Sequence, residues 1–203
     1  MLETRKRFHD ELSALEREVA AESELAQGAL ERSVEALLHK DDRLADQVIS
    51  GDDQLDVRYL DVERRVIDLL AMQTPVASDL RLVSVIMHVN LHLERIGDMA
   101  VNIAKIAKAT QDLPTDPTVL SHIEEMAEIS RSMLRTATEA FVRRDLELCL
   151  SLPRMDDPVD SLNRGMYGGG RPGCRPPDAG MGSSDAHGRP PARARRRSRR
   201  RHR

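Results

Sequence analysis

HVNLHLERIGDMAVNIAK, residues 88–105, is the stretch that decides the fold. Within it Asn90, Glu94, Asp98 and Asn102 recur at every fourth position. That spacing stacks side chains along one edge of an α-helix. An apolar stripe runs through the same segment and beyond it: Leu82, Ile86, Val89, Leu93, Ile96, Ala100, Ile103 and Ala107, at alternating steps of four and three. Leu80, Val83, Met87, Val101 and Ala104 form an adjacent apolar row. So broad an apolar sector predicts the most buried helix of a bundle. The polar row lies beside the stripe, not opposite it. Its two carboxylates are one turn apart and repel each other. Either a hard cation offsets them, since such ions take oxygen ligands, or they form an exposed acidic edge neutralised by a nearby Arg or Lys.

Outward from this segment, Pro75 separates it from the preceding helix, and Ser78 or Asp79 reads as its N-cap. The helix is expected to run to about Thr110. Upstream, Phe8, Leu12, Leu15, Val19, Ala26, Leu30, Val34 and Leu37 predict a long helix over 3–38. A second helix over 42–72 carries Val48, Asp52, Leu55, Tyr59, Val62, Val66 and Leu69 at steps of four and three. Asp52 occupies a slot where an apolar residue belongs, and Asp53 and Asp56 flank it in the text GDDQLD. A partly buried carboxylate is costly unless paired or bound to a cation. Alternatively the stripe slips at Gly51, which weakens the helix locally, and Asp52 faces water.

Downstream, Pro114 and Pro117 open a fourth helix with Val119, Ile123, Met126, Met133, Ala137 and Phe141 in period. A short fifth helix should follow Arg144-Asp145. Lys40–Tyr59 lines up with Arg144–Asn163, a repeat of 104 residues. Asp41, Leu44, Asp52, Asp53 and Asp56 fall on Asp145, Leu148, Asp156, Asp157 and Asp160. A duplicated acidic cluster argues for purpose. The repeat then breaks: after Tyr167 there is no Val, Ile, Leu or Phe, and the counterpart of Glu94 is Ser198. Such a segment cannot bury a core and is expected to be disordered. Its Arg, Gly, Pro and Ala content and its abrupt start in mid-repeat read as out-of-frame translation. The other reading is a genuine basic arm that binds polyanions.

Composition narrows the classes further. The 203 residues include two Phe, two Tyr and no Trp, with 32% charged side chains, so the core must be aliphatic and the fold all-α, a long-helix bundle. The net charge of −3 divides unevenly: residues 164–203 carry +10 and the remainder −13. An acidic body argues against nucleic-acid binding. Cys149 and Cys174 make neither a metal-spaced pair nor a disulfide framework, which favours a reduced, intracellular setting. The N-terminus lacks the apolar core of a signal peptide, and no stretch approaches the apolar length of a membrane span. There is no P-loop, Gly-x-Ser-x-Gly or Cys-x-x-Cys, and no Glu-x-x-His for a di-iron bundle enzyme. His88 and His92, one turn apart, read as packing or solvated residues.

QTPVASDLR (73–81) and LERIGDMAVNIAK (93–105), with GDDQLD, resemble the PhoU family of bacterial phosphate-signalling accessory proteins over about residues 1–167. The resemblance implies two tandem three-helix bundles, here a complete one over 1–112, a partial one of about one and a half helices over 113–167, and a disordered tail over 168–203. It implies a cytoplasmic negative regulator of the phosphate-starvation response that bridges the ATPase subunit of the phosphate ABC transporter and a sensor histidine kinase, as a homodimer when full length. It implies no enzyme, no nucleic acid and no membrane insertion. Some members bind iron or zinc clusters through an E/D-x-x-x-D motif, which here is Glu94-x-x-x-Asp98, with Asp52, Asp53 and Asp56 facing it. The second such motif is absent, which puts full metal loading and the dimer surface in doubt. Oxygen-only donors admit iron, zinc, manganese or magnesium alike, and Asn90 and Asn102 could orient the carboxylates. The alternatives are a metal-binding bundle with another regulatory role and a carboxylate-metal enzyme.

Overall fold

The computed structural model describes residues 2–72 and 75–168. Its described residues form helices and connecting turns, in the order α1 (Leu2–His39), α2 (Asp42–Gly51), α3 (Asp53–Met72), α4 (Ala77–Ala109), α5 (Pro117–Arg143) and α6 (Leu146–Gly168). The described residues form one compact unit. The expected all-α fold is therefore present. The expected disordered tail lies outside the described residues.

Helices α1, α2–α3 and α4 make the first bundle. Its core has two parts of different grain. Phe8, Leu12, Leu15, Val19, Leu55, Val62, Val66, Leu69, Val83, Ile86 and Leu93 fill one. Ala36, Ala45, Val48, Ala100, Ala104 and Ala107 fill the other, where small side chains let the helices close up. The α2–α3 seam is the expected one, from Val48 through Leu55 and Val62 to Leu69. The expected single helix over 42–72 is interrupted at Asp52, where Gly51 has low helix propensity. Asp52 itself keeps helical angles, φ −60° and ψ −40°, so the break does not shift the seam. Asp53 and Asp56 then occupy the first turn of α3, where negative charge suits the helix dipole.

The α4 seam departs from the expected stripe. The buried line is Val83, Ile86, Asn90, Leu93, Gly97, Ala100, Ala104 and Ala107. Val89 and Ile96 are only half-buried, and Leu80 and Met87 are exposed. Position 97 is in the seam because a neighbour needs the space: a Cβ there would stand 2.7 Å from Leu55 Cδ1. The start of α4 also differs. Val76 precedes the first turn without a side-chain cap, and Asp79 lies inside the helix facing His9.

The 104-residue repeat is visible in the backbone. Lys40 and Arg144, one repeat apart, have φ of 54° and 53°, the left-handed turn that ends a helix. The next residues cap the following helices: Asp41 accepts from the N–H groups of Arg43 and Leu44, and Asp145 from those of Glu147 and Leu148. Each also donates its own N–H to a buried alanine carbonyl, Asp41 to Ala36 and Asp145 to Ala140, both at 3.0 Å. Thus α5–α6 repeats α1–α2–α3, and α6 is longer than a short fifth helix, running through Pro153 and Pro158 to Gly168. The hairpin docks on α1 through Leu134 and Phe141, a Ser23–Thr138 hydroxyl pair at 2.5 Å, and ion pairs of Arg131 with Glu31 and Arg144 with Glu16.

Candidate functional site

The α2–α3 break and the middle of α4 face each other. Gly97 allows it: its missing side chain leaves room for Leu55, and a Cβ there would stand 3.5 Å from Asp52 Oδ1. This brings the GDDQLD cluster beside Glu94 and Asp98. Burial pushes the Asp52 carboxyl above its ordinary pKa, with Asp56, Asp98 and Asp53 adding to the rise and Lys105 opposing it. Glu94 is pushed up in the same way, by burial first and then by Asp98, Asp56 and Asp52 against Arg95. Asp52, Asp53, Asp56, Glu94 and Asp98 therefore share one electrostatic neighbourhood. Among the described residues none of the five forms an ion pair, although ion pairs line the rest of the bundle.

The polar row of α4 turns outward along its length. Asn90 is buried, Glu94 half-buried, and Asp98 and Asn102 exposed. Steps of four overrun a 3.6-residue turn, so the row winds away from the seam. Asn90 donates Nδ2–H to the Tyr59 carbonyl at 3.1 Å and is a core residue, whereas Asn102 remains at the edge of the acidic face. His88 and His92 are exposed, and His88 is hydrogen-bonded to the Ser84 carbonyl.

Carboxylate oxygens suit a hard cation. As placed, no three Asp, Glu, His or Cys side chains among the described residues are arranged to hold a metal ion. The group is a set of neighbouring donors rather than a closed cage. Beside it lies a cleft of about 260 Å³ lined by Arg32, Gln47, Asp52, Gln54 and Gly97.

One acidic residue near the site was outside the expected set. Glu22 on α1 is fully buried, and neither carboxyl oxygen has a hydrogen-bond partner. Burial pushes its pKa up to about 8, with Glu18 and Glu94 adding to the rise and Arg58 opposing it. Arg58 is engaged by Glu18. The signal was present in the sequence: the α1 stripe skips from Val19 to Ala26, and Glu22 stands in the vacant slot.

Known proteins match this chain in the same regions. The PhoU domain model matches residues 19–107 and 123–167, starting points one repeat apart. The chain is 36% identical over 153 residues to a phosphate-specific transport system accessory protein PhoU homolog of Aquifex aeolicus, covering 75% of this chain and 68% of that one. To the protein of the same description in Clostridium acetobutylicum it is 33% identical over 165 residues, covering 81% and 75%. Its fold is similar to the crystal structure of PhoU from Pseudomonas aeruginosa, with a TM-score of 0.74, 30% identity, and 78% and 76% of the two chains covered. It is also similar to the phosphate transport system regulatory protein PhoU from Streptococcus pneumoniae, with a TM-score of 0.73, 27% identity, and 79% and 75% covered. Matched by the family model in both of its repeats, the chain belongs to the PhoU family.

Proposed function

We propose that this chain is a cytoplasmic regulatory adaptor, not an enzyme, that restrains phosphate uptake and the phosphate-starvation response. It does so, as a homodimer when full length, by contacting the ATPase subunit of a phosphate ABC transporter and a sensor histidine kinase. The observation that carries the reading is the PhoU match in both repeats, together with relatives described as accessory to phosphate-specific transport. Long helices with an unpaired acidic face support it, because such a surface offers charge and shape to a partner. None of the described helices is long and apolar enough to cross a membrane, which fits contact with a transporter through its ATPase subunit. The test is co-purification of the tagged chain from phosphate-replete cells. Recovery of the ATPase subunit and the kinase is expected, and recovery of neither would overturn the reading.

The acidic face between α3 and α4 is the proposed metal centre. Asp52, Asp56, Glu94 and Asp98 would hold the ion, with Asp53 at the edge and Asn102 as an orienting neighbour. Iron or zinc, singly or clustered, and magnesium or manganese all accept this donor set. The ion would add positive charge to that of Lys105 and Arg95, which act on Asp52 and Glu94 without pairing with them. The five unpaired carboxylates and the close approach at Gly97 support this assignment.

A further inference from the structure

A cavity of about 220 Å³ lies between α3 and α4, one helical turn before Glu94, and the proposed metal face does not use it. It is lined by Tyr59 and Glu63 of α3 and by Met87, His88, Asn90 and Leu91 of α4. Pockets for whole small molecules run to ~300–1,000 Å³, so this one suits a single long side chain. Its polar groups lack donors. Asn90 is 2% exposed, its amide N–H is spent on the Tyr59 carbonyl, and its Oδ1 accepts nothing. A buried acceptor left unpaired is costly and asks for a donor. Glu63 is half-buried and forms no ion pair among the described residues, because the neighbouring Arg64 and Arg65 are held by Asp61 and Glu11. No Lys or Arg lines the cavity. The rim, by contrast, is apolar. Leu60 and Ile67, three and four residues either side of Glu63, share its face of α3 and are each 58% exposed. Leu80 and Met87, seven apart on α4, are exposed as well.

We propose that the α3–α4 groove docks a helix of a partner protein, anchored by one arginine of that helix inserted between Glu63 and Asn90. Charge complementarity selects the anchor. A free carboxylate and an orphan amide oxygen call for a cation with several donors. The guanidinium has five N–H groups in a planar fork, enough to pair with Glu63 and still reach Asn90 Oδ1. Its aliphatic stem would lie against Met87 and Leu91. Aliphatic residues three or four positions from the arginine on the same helix would cover Leu60, Ile67 and Leu80, the usual way a helix sits in a groove. An arginine in a central recess ringed by apolar contacts is a common form of interface anchor. The inference deepens the adaptor reading and rests on it for the existence of a partner. It does not depend on the metal centre.

Fluorescence anisotropy of the full 203-residue chain with a labelled, alanine-based helical peptide bearing Leu-x-x-x-Arg-x-x-Leu tests it. Binding that saturates below about 1 mM is expected. Glu63→Gln should weaken it about tenfold, through loss of a charge-assisted hydrogen bond. Citrulline in place of the peptide's arginine should do the same with the wild type and cost little more with Glu63→Gln, since each change removes the same pair. Leu60→Ser, at an exposed position, should also weaken binding and leave the helical circular dichroism unchanged. Absence of saturation would overturn the proposal, as would losses that simply add. Arginine amide binding as tightly as the peptide would overturn it too, by making the cavity a small-amine site. Co-purification of the transporter subunit or the kinase can succeed through another surface while this measurement fails, so the two readings fall separately.

Discussion

A charged carboxylate without a partner in an aliphatic core costs several kcal/mol. Glu22 is therefore expected to be a neutral acid in the folded chain at neutral pH, consistent with a pKa pushed up to about 8. Its folded pKa lies above the unfolded value of 4.5, so the folded state holds the proton more tightly. The contribution to stability is whole below that unfolded value and is lost as pH rises toward about 8. The second repeat shows what the slot tolerates: the counterpart of Glu22 is Met126. Glu22→Met should raise stability by about 2 kcal/mol at about pH 8 and flatten the decline. Urea midpoints across this range check it, and parallel pH profiles for the two proteins would contradict it. Gly97 makes the opposite point. Gly97→Val should cost about 2 kcal/mol by overpacking Leu55 and move Asp52 away from α4, read by the same unfolding measurement. Both residues escaped the sequence reading for one reason. Counting apolar side chains finds where bulk is buried and passes over Glu22, which fills a gap in the α1 stripe, and Gly97, which is buried because Leu55 needs the space. Hydropathy favours Val89 and Ile96 over Asn90 and Gly97, and at position 97 the close approach of Leu55 reverses that preference.

At the scale of elements the sequence was more legible. The α2–α3 seam kept its register through Asp52, and the repeat reappeared as two matching left-handed turns and two matching aspartate caps. These rest on strong local rules: the apolar period and capping chemistry. The break at Asp52 depends on helix propensity over one or two residues and is harder to read. The facing of α3 and α4 is also where the metal proposal is decided. Asp52 and Glu94 both have raised pKa values, and a bound cation requires them deprotonated. Metal uptake should therefore be full above their raised pKa values and fall as pH drops through them. Metal analysis of the dialysed chain should find bound metal that a Glu94→Ala, Asp98→Ala double variant loses. Equal content in both, or none in either, would reduce the row to a solvated acidic edge.

At the scale of the whole molecule, one complete bundle carries a second hairpin of the same design, docked on α1. Net charge is divided between an acidic body and a basic segment after residue 163, and the proposed metal face lies on the acidic body. The first bundle has its three-helix core, its caps and its acidic face within residues 2–109, so any partner contact that needs only the first repeat is available. The regulatory reading predicts that the chain silences the starvation response in high phosphate. Its most direct test is a phosphate-starvation reporter in a bacterial strain deleted for its own PhoU and expressing this chain. The reporter should be off in high phosphate and on when phosphate is withdrawn. A reporter equally active with and without the chain in high phosphate would contradict the account.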